Sequence, residues 1–169
     1  MRINEFIKEN HLKQTDALVL RKRFFGMVDH YVLFMGYRAN KPLFVANYKD
    51  GVQEVTTSEI NKYLQVLEPQ TIERFSGSDN ERTIAFRRAL SRVGEKAYNY
   101  FGNNCEHFKN WVHHGENFSS QVKIAGNTAI VAGVGLGAIG LVKKYPKTAL
   151  LGAGILLVGA LLKDLSSDE

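Results

Sequence analysis

The chain has 169 residues, with 22 Lys and Arg against 17 Asp and Glu for a formal charge of +5, 44% hydrophobic residues and one cysteine. A single cysteine excludes an internal disulfide, and Met1-Arg2-Ile3-Asn4-Glu5 lacks the apolar core of a signal peptide, so the expected setting is reducing and cytosol-facing. The length suits one domain and an appendage: a head over 1–124, an apolar stretch over 125–162 and a polar tail over 163–169.

Taken in chain order, Arg21-Lys22-Arg23 followed by Phe24-Phe25 sets a basic step beside two aromatics in a predicted loop. Such charges suit anionic headgroups while the rings enter the lipid boundary, so these five residues form a candidate membrane contact. The competing reading is a solvated charge run beside two core phenylalanines. The basic excess is assigned to lipid rather than to nucleic acid.

The runs Val28 to Gly36 and Lys41 to Tyr48 are rich in β-branched and aromatic residues and predict a hairpin turning at Arg38-Ala39-Asn40-Lys41. An unbroken register from that turn makes His30 and Asn47 diagonal neighbours on one sheet face, about 7–8 Å apart. A slip of one residue presents Tyr48 instead. Thr56-Thr57-Ser58-Glu59 predicts the capped start of a short helix through Leu67, closed by Pro69. Asp79 or Asn80 is expected to cap a second helix, with Ile84, Phe86, Ala89, Leu90 and Val93 inward, Arg87, Arg88 and Arg92 outward, and Gly94 at its end. Tyr98 to Phe101 reads as a short aromatic strand or turn.

Asn104-Cys105-Glu106-His107-Phe108 places the only cysteine in the first turn of a third helix, capped by Asn103 or Asn104 and stopped by Gly115, with Phe108, Trp111 and Val112 on the buried face. The N–H groups and positive dipole end there favour thiolate, so a lowered pKa is expected. Cys105 is the candidate nucleophile, His30 its general base and Asn47 the orienting residue. A small buried hydrophobe is the alternative for a lone cysteine. Cys105 and His107 point to different helix faces and no second cysteine exists, so no metal site is expected.

From Ala125 to Val142 and from Thr148 to Leu162 the chain is apolar, interrupted by Lys143-Lys144-Tyr145-Pro146-Lys147. A spanning helix with a re-entrant piece and a tight hairpin both fit, as does a hairpin buried on the head. Gly133 with Gly137, and Gly152 with Gly154, suggest close helix contacts and self-association. Gly135 to Gly140 also spells a dinucleotide-type glycine pattern, but inside an apolar run and without the later acidic residue.

His30-Tyr31-Val32-Leu33-Phe34-Met35-Gly36 and Asn104-Cys105-Glu106-His107-Phe108 resemble, in order and in kind, the two motif blocks of the lecithin:retinol acyltransferase-like family, specifically its HRAS-like suppressor phospholipase and acyltransferase group. The similarity extends over roughly residues 12 to 124. It implies an α+β, circularly permuted papain-like domain with an antiparallel sheet and a helix carrying the nucleophile. The departure lies at the third site position, where many members have a second histidine and this chain offers Asn47; papain-like enzymes use asparagine in that role.

The resemblance further implies a thiol phospholipase A or phospholipid acyltransferase, with no cofactor. Cys105 attacks a glycerophospholipid ester, the backbone N–H of Cys105 serves as oxyanion donor, and water or an amine resolves the acyl-enzyme. The partners implied are phospholipid and membrane, with the catalytic domain facing the cytoplasm. A non-catalytic membrane-binding protein of the same fold and a cysteine amidase or peptidase stay open as alternatives.

Overall fold

The computed structural model describes residues 3–22, 29–96 and 104–168. It divides into two compact units, Met1–Glu116 and Asn117–Glu169. That division falls ahead of position 124 because the first apolar helix already begins at Ser120.

The first unit runs α1 (Ile3–Glu9), β1 (Ala17–Lys22), β2 (Asp29–Arg38), β3 (Lys41–Tyr48), β4 (Gly51–Val55), α2 (Thr57–Val66), β5 (Leu67–Glu73), α3 (Asp79–Ser91) and α4 (Cys105–His114). Its strands form one antiparallel sheet in the order β4-β3-β2-β1-β5. Alternation along the strands sends Leu18, Leu20, Val32, Phe34, Phe44 and Ala46 to one face, where they meet Ile3, Phe6 and Ile7 of α1 and Ile60 of α2. Ala17, Leu33, Met35 and Val45 go to the other, against Ala85 and Ala89 of α3 and Phe108 and Val112 of α4. The sheet is therefore buried on both sides, as an α+β fold requires.

The β2–β3 hairpin turns at the expected residues. Ala39 and Asn40 both hold positive φ, the geometry of a two-residue turn that matches strand twist, between the pair Arg38↔Lys41. Farther along, the register shifts between Phe34 and Tyr37, where Gly36 takes φ +90 and β2 carries an extra residue. Phe34 then faces Phe44 and Leu33 faces Val45. By alternation His30, paired with Leu20, shares the face of Val32 and Tyr48, whereas Asn47, paired with Val52, shares the face of Val45. The expectation that Asn47 shares a face with His30 is thus corrected, because the bulge slips the strands by one residue.

Glu59 accepts from the Thr56 N–H at 2.8 Å and from its hydroxyl at 2.7 Å, closing the expected cap on α2. The helix leads directly into β5, a strand that the sequence did not predict. Pro69 is accommodated there because β5 is an edge strand and its pairing with β1 is irregular between Val19 and Leu20. In α3 the cap is Ser78, which forms a reciprocal box with Glu81, rather than Asp79 or Asn80. Ile84 and Val93 are 49% and 38% exposed, not inward. Arg92 lies over the Trp111 ring at 4.8 Å and Arg88 donates to the Val112 carbonyl at 3.4 Å, so two of the three arginines expected in solvent instead tie α3 to α4.

In the second unit, α5 (Ser120–Val142) and α6 (Pro146–Asp164) form an antiparallel hairpin. Its two ends are joined by β6 (Asn117–Phe118) and β7 (Ser167–Asp168), and its turn is closed by Tyr145 N–H to Gly140 carbonyl at 2.7 Å. The seam is made by glycines seven apart, Gly126, Gly133 and Gly140 on α5 and Gly152 and Gly159 on α6. A Cβ on Gly133 would sit 2.5 Å from Leu156 N and 2.8 Å from the Gly152 carbonyl, so only glycine allows this approach. Gly137 enters the seam through its backbone, which together with that of Gly133 flanks Gly152, but side chains on Gly137 or Gly154 would meet nothing, so the positions that must be glycine repeat every seven residues. At 1.5 Å per residue the 23-residue α5 and 19-residue α6 reach about 34 and about 28 Å, and both could cross the roughly 30 Å apolar layer of a bilayer. Their outer faces are apolar and open: Val142 is 83% and Leu150 76% exposed.

Candidate active site

Cys105 occupies the first residue of α4, as its motif predicts. Asn104, rather than Asn103, is the cap: its Oδ1 accepts from the N–H groups of Glu106 at 2.9 Å and His107 at 3.1 Å. Gly115 ends the helix in the left-handed region at φ 80, its N–H bonded to the Trp111 carbonyl at 2.8 Å. The helix is buried on nearly all sides, since Glu106, His107, Lys109 and Asn110 are as enclosed as Cys105, Phe108 and Val112.

The placement of the sulfur follows from the hairpin. Phe34 exchanges backbone hydrogen bonds with Asp16 and Thr15 on the β1 side, so alternation turns the backbone polar groups of Leu33 and Tyr31 toward β3. The β2–β3 pairs run from Arg38↔Lys41 to Leu33↔Val45. Beyond them the start of α4 engages both strands. The Tyr31 N–H donates to the Cys105 sulfur, and Asn47 Nδ2 approaches the Asn104 carbonyl at 3.4 Å. Cys105 packs with Val19 and Tyr31. The peptide that joins His30 to Tyr31 is therefore in hydrogen-bond contact with the candidate nucleophile.

The thiol is 2% exposed, and burial pushes its pKa up to about 11, with the Glu106 carboxylate adding to the rise. The N–H groups of Tyr31, Cys105 and Glu106 pull the other way. The expectation of a lowered pKa is corrected: desolvation of a charge on sulfur outweighs the donors at the helix start.

His30 is half-buried on β2, opposite Leu20 of β1, and shares the face of Val32. Tyr48 belongs to that same face by register. Its phenol is pushed well above the ordinary range by burial, by the charge of and a hydrogen bond with Tyr63, and by its proximity to Cys105. The two tyrosine rings stand 5.7 Å apart. The sulfur is thus met by the Tyr31 backbone and lies within electrostatic range of Tyr48, while Asn47 is engaged with the helix cap.

Behind Tyr31 lies a cation that sequence reasoning missed. The Lys109 ammonium sits 4.9 Å from the Tyr31 ring centroid, pairs with Glu73 at 2.5 Å and donates to Asn110 Oδ1 at 2.6 Å. Its spacing of four from Cys105 was the available signal, but a lysine ordinarily reads as solvated. His113 binds the Thr15 carbonyl through Nε2 at 2.7 Å, and burial lowers its pKa to about 4, which marks it as a neutral structural residue. Among the described residues no group of three His, Cys, Asp or Glu is placed to hold a metal ion. Of the candidate membrane contact, Arg21 and Lys22 continue β1 instead of opening a loop, while Arg23, Phe24 and Phe25 lie outside the described residues, as do Asn103 and the stretch from Tyr98 to Phe101.

Compared with known proteins, the chain finds no match among curated sequences. The family model for lecithin retinol acyltransferase matches residues 22–118, a span that holds β2, β3, α4 and with them His30, Asn47, Tyr48 and Cys105. More than half of the 169 residues lie within it, and the chain belongs to the lecithin retinol acyltransferase family, whose chemistry is of the acyltransferase and hydrolase type.

Proposed function

We propose that this protein is a membrane-associated thiol acyl hydrolase or acyltransferase that acts on glycerophospholipids through an acyl-thioester. The observation that carries this reading is the hydrogen bond from the His30–Tyr31 peptide to the Cys105 sulfur. It supports a site in which the strand that carries His30 meets the nucleophile at the start of a helix, with the Cys105 N–H as oxyanion donor.

With its pKa near 11 the thiol is neutral at physiological pH, so attack is coupled to proton removal, as for a serine nucleophile. His30 accepts the thiol proton as the sulfur–carbon bond forms at the ester carbonyl. The developing oxyanion takes the backbone N–H of Cys105, a contact of a kind contributing about 2.7–4 kcal/mol. Collapse breaks the ester carbon–oxygen bond, and the imidazolium returns the proton to the leaving lysophospholipid. Water, or an amine such as a phospholipid headgroup, then attacks the thioester with His30 again as base, releasing fatty acid or amide and restoring the thiol. Tyr48, on the sheet face of His30, takes the orienting place first assigned to Asn47, and Asn47 steadies the helix cap. The apolar hairpin supports attachment to a bilayer, which raises the local lipid concentration at the site. A free thiol nucleophile calls for the reducing, cytoplasmic side of that membrane.

The test incubates the full chain, Cys105→Ala and His30→Ala with phospholipid vesicles and follows lysolipid, fatty acid, N-acyl products and an acylated Cys105 peptide by mass spectrometry. Lysolipid is expected from the wild type only. Equal turnover by Cys105→Ala would reject the nucleophile. The burial of the thiol favours a second reading, a non-catalytic membrane-binding protein of the same fold; neither turnover nor adduct across varied lipids would establish it.

A further inference from the structure

The far end of the α5–α6 hairpin carries Lys143, Lys144 and Lys147, all exposed, and no Asp or Glu occurs between Glu116 and Asp164. The tip is thus a pure cluster of positive charge at the end of two apolar helices, with the exposed Tyr145 among the lysines as an amphipathic ring of the kind that settles at headgroup level. Lys147 also heads a groove of ≈ 620 Å³ that runs down the outside of α6 past Leu150, Leu151, Gly154, Ile155 and Val158. The groove exists because Gly154 leaves open space between larger neighbours.

The length of the groove is informative. From Lys147 to Val158 the helix rises by about 16 Å, roughly half of the 30 Å hydrocarbon layer. A lysine at one end and apolar walls for the depth of one leaflet match the dimensions and polarity of a single phospholipid, with its headgroup at the tip and one acyl chain against α6. The N-terminus of α6 adds a favourable dipole there, since Tyr145 makes no side-chain cap to it.

We infer that the hairpin tip is a binding site for an anionic phospholipid, its phosphate held by Lys147 with Lys143 and Lys144 and one acyl chain lying in the Gly154 groove. The inference rests on the membrane-associated reading proposed above and goes beyond it: the hairpin selects the charge of the leaflet that its tip reaches. The lipid is bound here as a ligand and is not turned over, because the site holds no nucleophile.

The test floats the full chain on phosphatidylcholine vesicles and on vesicles that also contain phosphatidylglycerol, and follows lipid retained on the detergent-solubilised protein by native mass spectrometry. Wild type is expected to float with both and to favour phosphatidylglycerol by about 100-fold at low salt, from roughly fivefold per lysine. The triple variant Lys143→Gln, Lys144→Gln, Lys147→Gln should still float with phosphatidylcholine but lose that preference. Gly154→Leu should float normally and lose retained phosphatidylglycerol, whereas Gly135→Leu, which also faces open space, should retain it. An undiminished preference in the triple variant, undiminished retention in Gly154→Leu, or lipid-free dimers that Gly154→Leu abolishes would overturn the inference. Failure of the wild type to float with either vesicle would overturn the membrane-associated reading itself, whereas floating with both without preference would overturn this inference alone.

Discussion

The raised pKa of Cys105 sets a measurable rate law for its reaction with a dipyridyl disulfide. At pH 8 a thiol at about 11 is ionised to about one part in a thousand, against about one in ten at the ordinary value of 9.0. The 100-fold deficit in thiolate is partly offset by the greater nucleophilicity of a more basic sulfur, which over the rise of about two in pKa returns about six- to tenfold. Net labelling at pH 8 should be roughly tenfold slower than for a small thiol, and slower still through burial. The slope is the sharper observable, because enclosure scales every rate alike: the logarithm of the rate should climb by one per pH unit without a plateau below pH 10. The chain has one cysteine, so pyridinethione release reports this sulfur alone.

The same shift enters stability. A group whose folded pKa is raised holds its contribution below the unfolded value and loses it as pH rises through the folded one. About 2–3 kcal/mol should therefore vanish between roughly pH 9 and pH 11, and Cys105→Ala should remove that dependence. Glu106→Gln removes a charge that raises the thiol pKa, so its labelling should be faster at pH 8. A labelling rate that levels off near pH 7 would show a preformed thiolate and refute the dominance of desolvation.

Exchanging Tyr48 for Phe should lower kcat for lysolipid release with little change in urea midpoint, whereas Asn47→Ala should lower the unfolding free energy in urea by about 0.5–1.5 kcal/mol, for one hydrogen bond lost at an Asn104 carbonyl that keeps the Phe108 N–H, and spare kcat in the molecules that remain folded; the reverse pattern would restore Asn47 as the orienting residue. Gly133→Leu should force α5 and α6 apart and lower the melting temperature in detergent, while Gly137→Leu stays within about 0.5 kcal/mol of wild type; equal effects would rule out the heptad seam. Asp16 is held below the usual carboxylate range although burial opposes it, because the Lys13 and Phe75 N–H groups, Arg74 and Arg82 all favour its charge. Asp16→Asn should cost about 3 kcal/mol in urea unfolding at pH 7, since Arg74 at 2.8 Å and Arg82 at 3.3 Å lose their partner; a loss under about 1 kcal/mol would show that solvent already screens the cluster.

Much of the site can be read from local sequence. The helix start at Cys105 is legible because an asparagine cap, an apolar spacing of three and four and a glycine stop are short-range signals, and α4 uses each of them. The β2–β3 turn is legible for the same reason. The bulge at Gly36 is not: a glycine beside a strand end reads as a turn residue, and only the pairing of Leu33 with Val45 reveals that an extra residue has been absorbed. That single slip puts Tyr48 rather than Asn47 on the sheet face of His30, because side chains alternate faces at every step. Strand β5 is hidden for a related reason, since Pro69 is tolerated only by virtue of an edge position that the linear chain does not display.

What the sequence by itself determined is the inventory and its local geometry: one thiol at a helix start, one histidine on a strand, two apolar segments separated by lysines. Only the tertiary structure decided how these groups are energised. Enclosure of α4 against the sheet and α3 raises the Cys105 pKa that the helix start alone would lower, and the spacing of seven that lets α5 and α6 touch emerges only when both helices are present. Burial and close approach depend on residues far apart along the chain, so the desolvation of a sulfur and the fit of a glycine seam exist only once those residues have met.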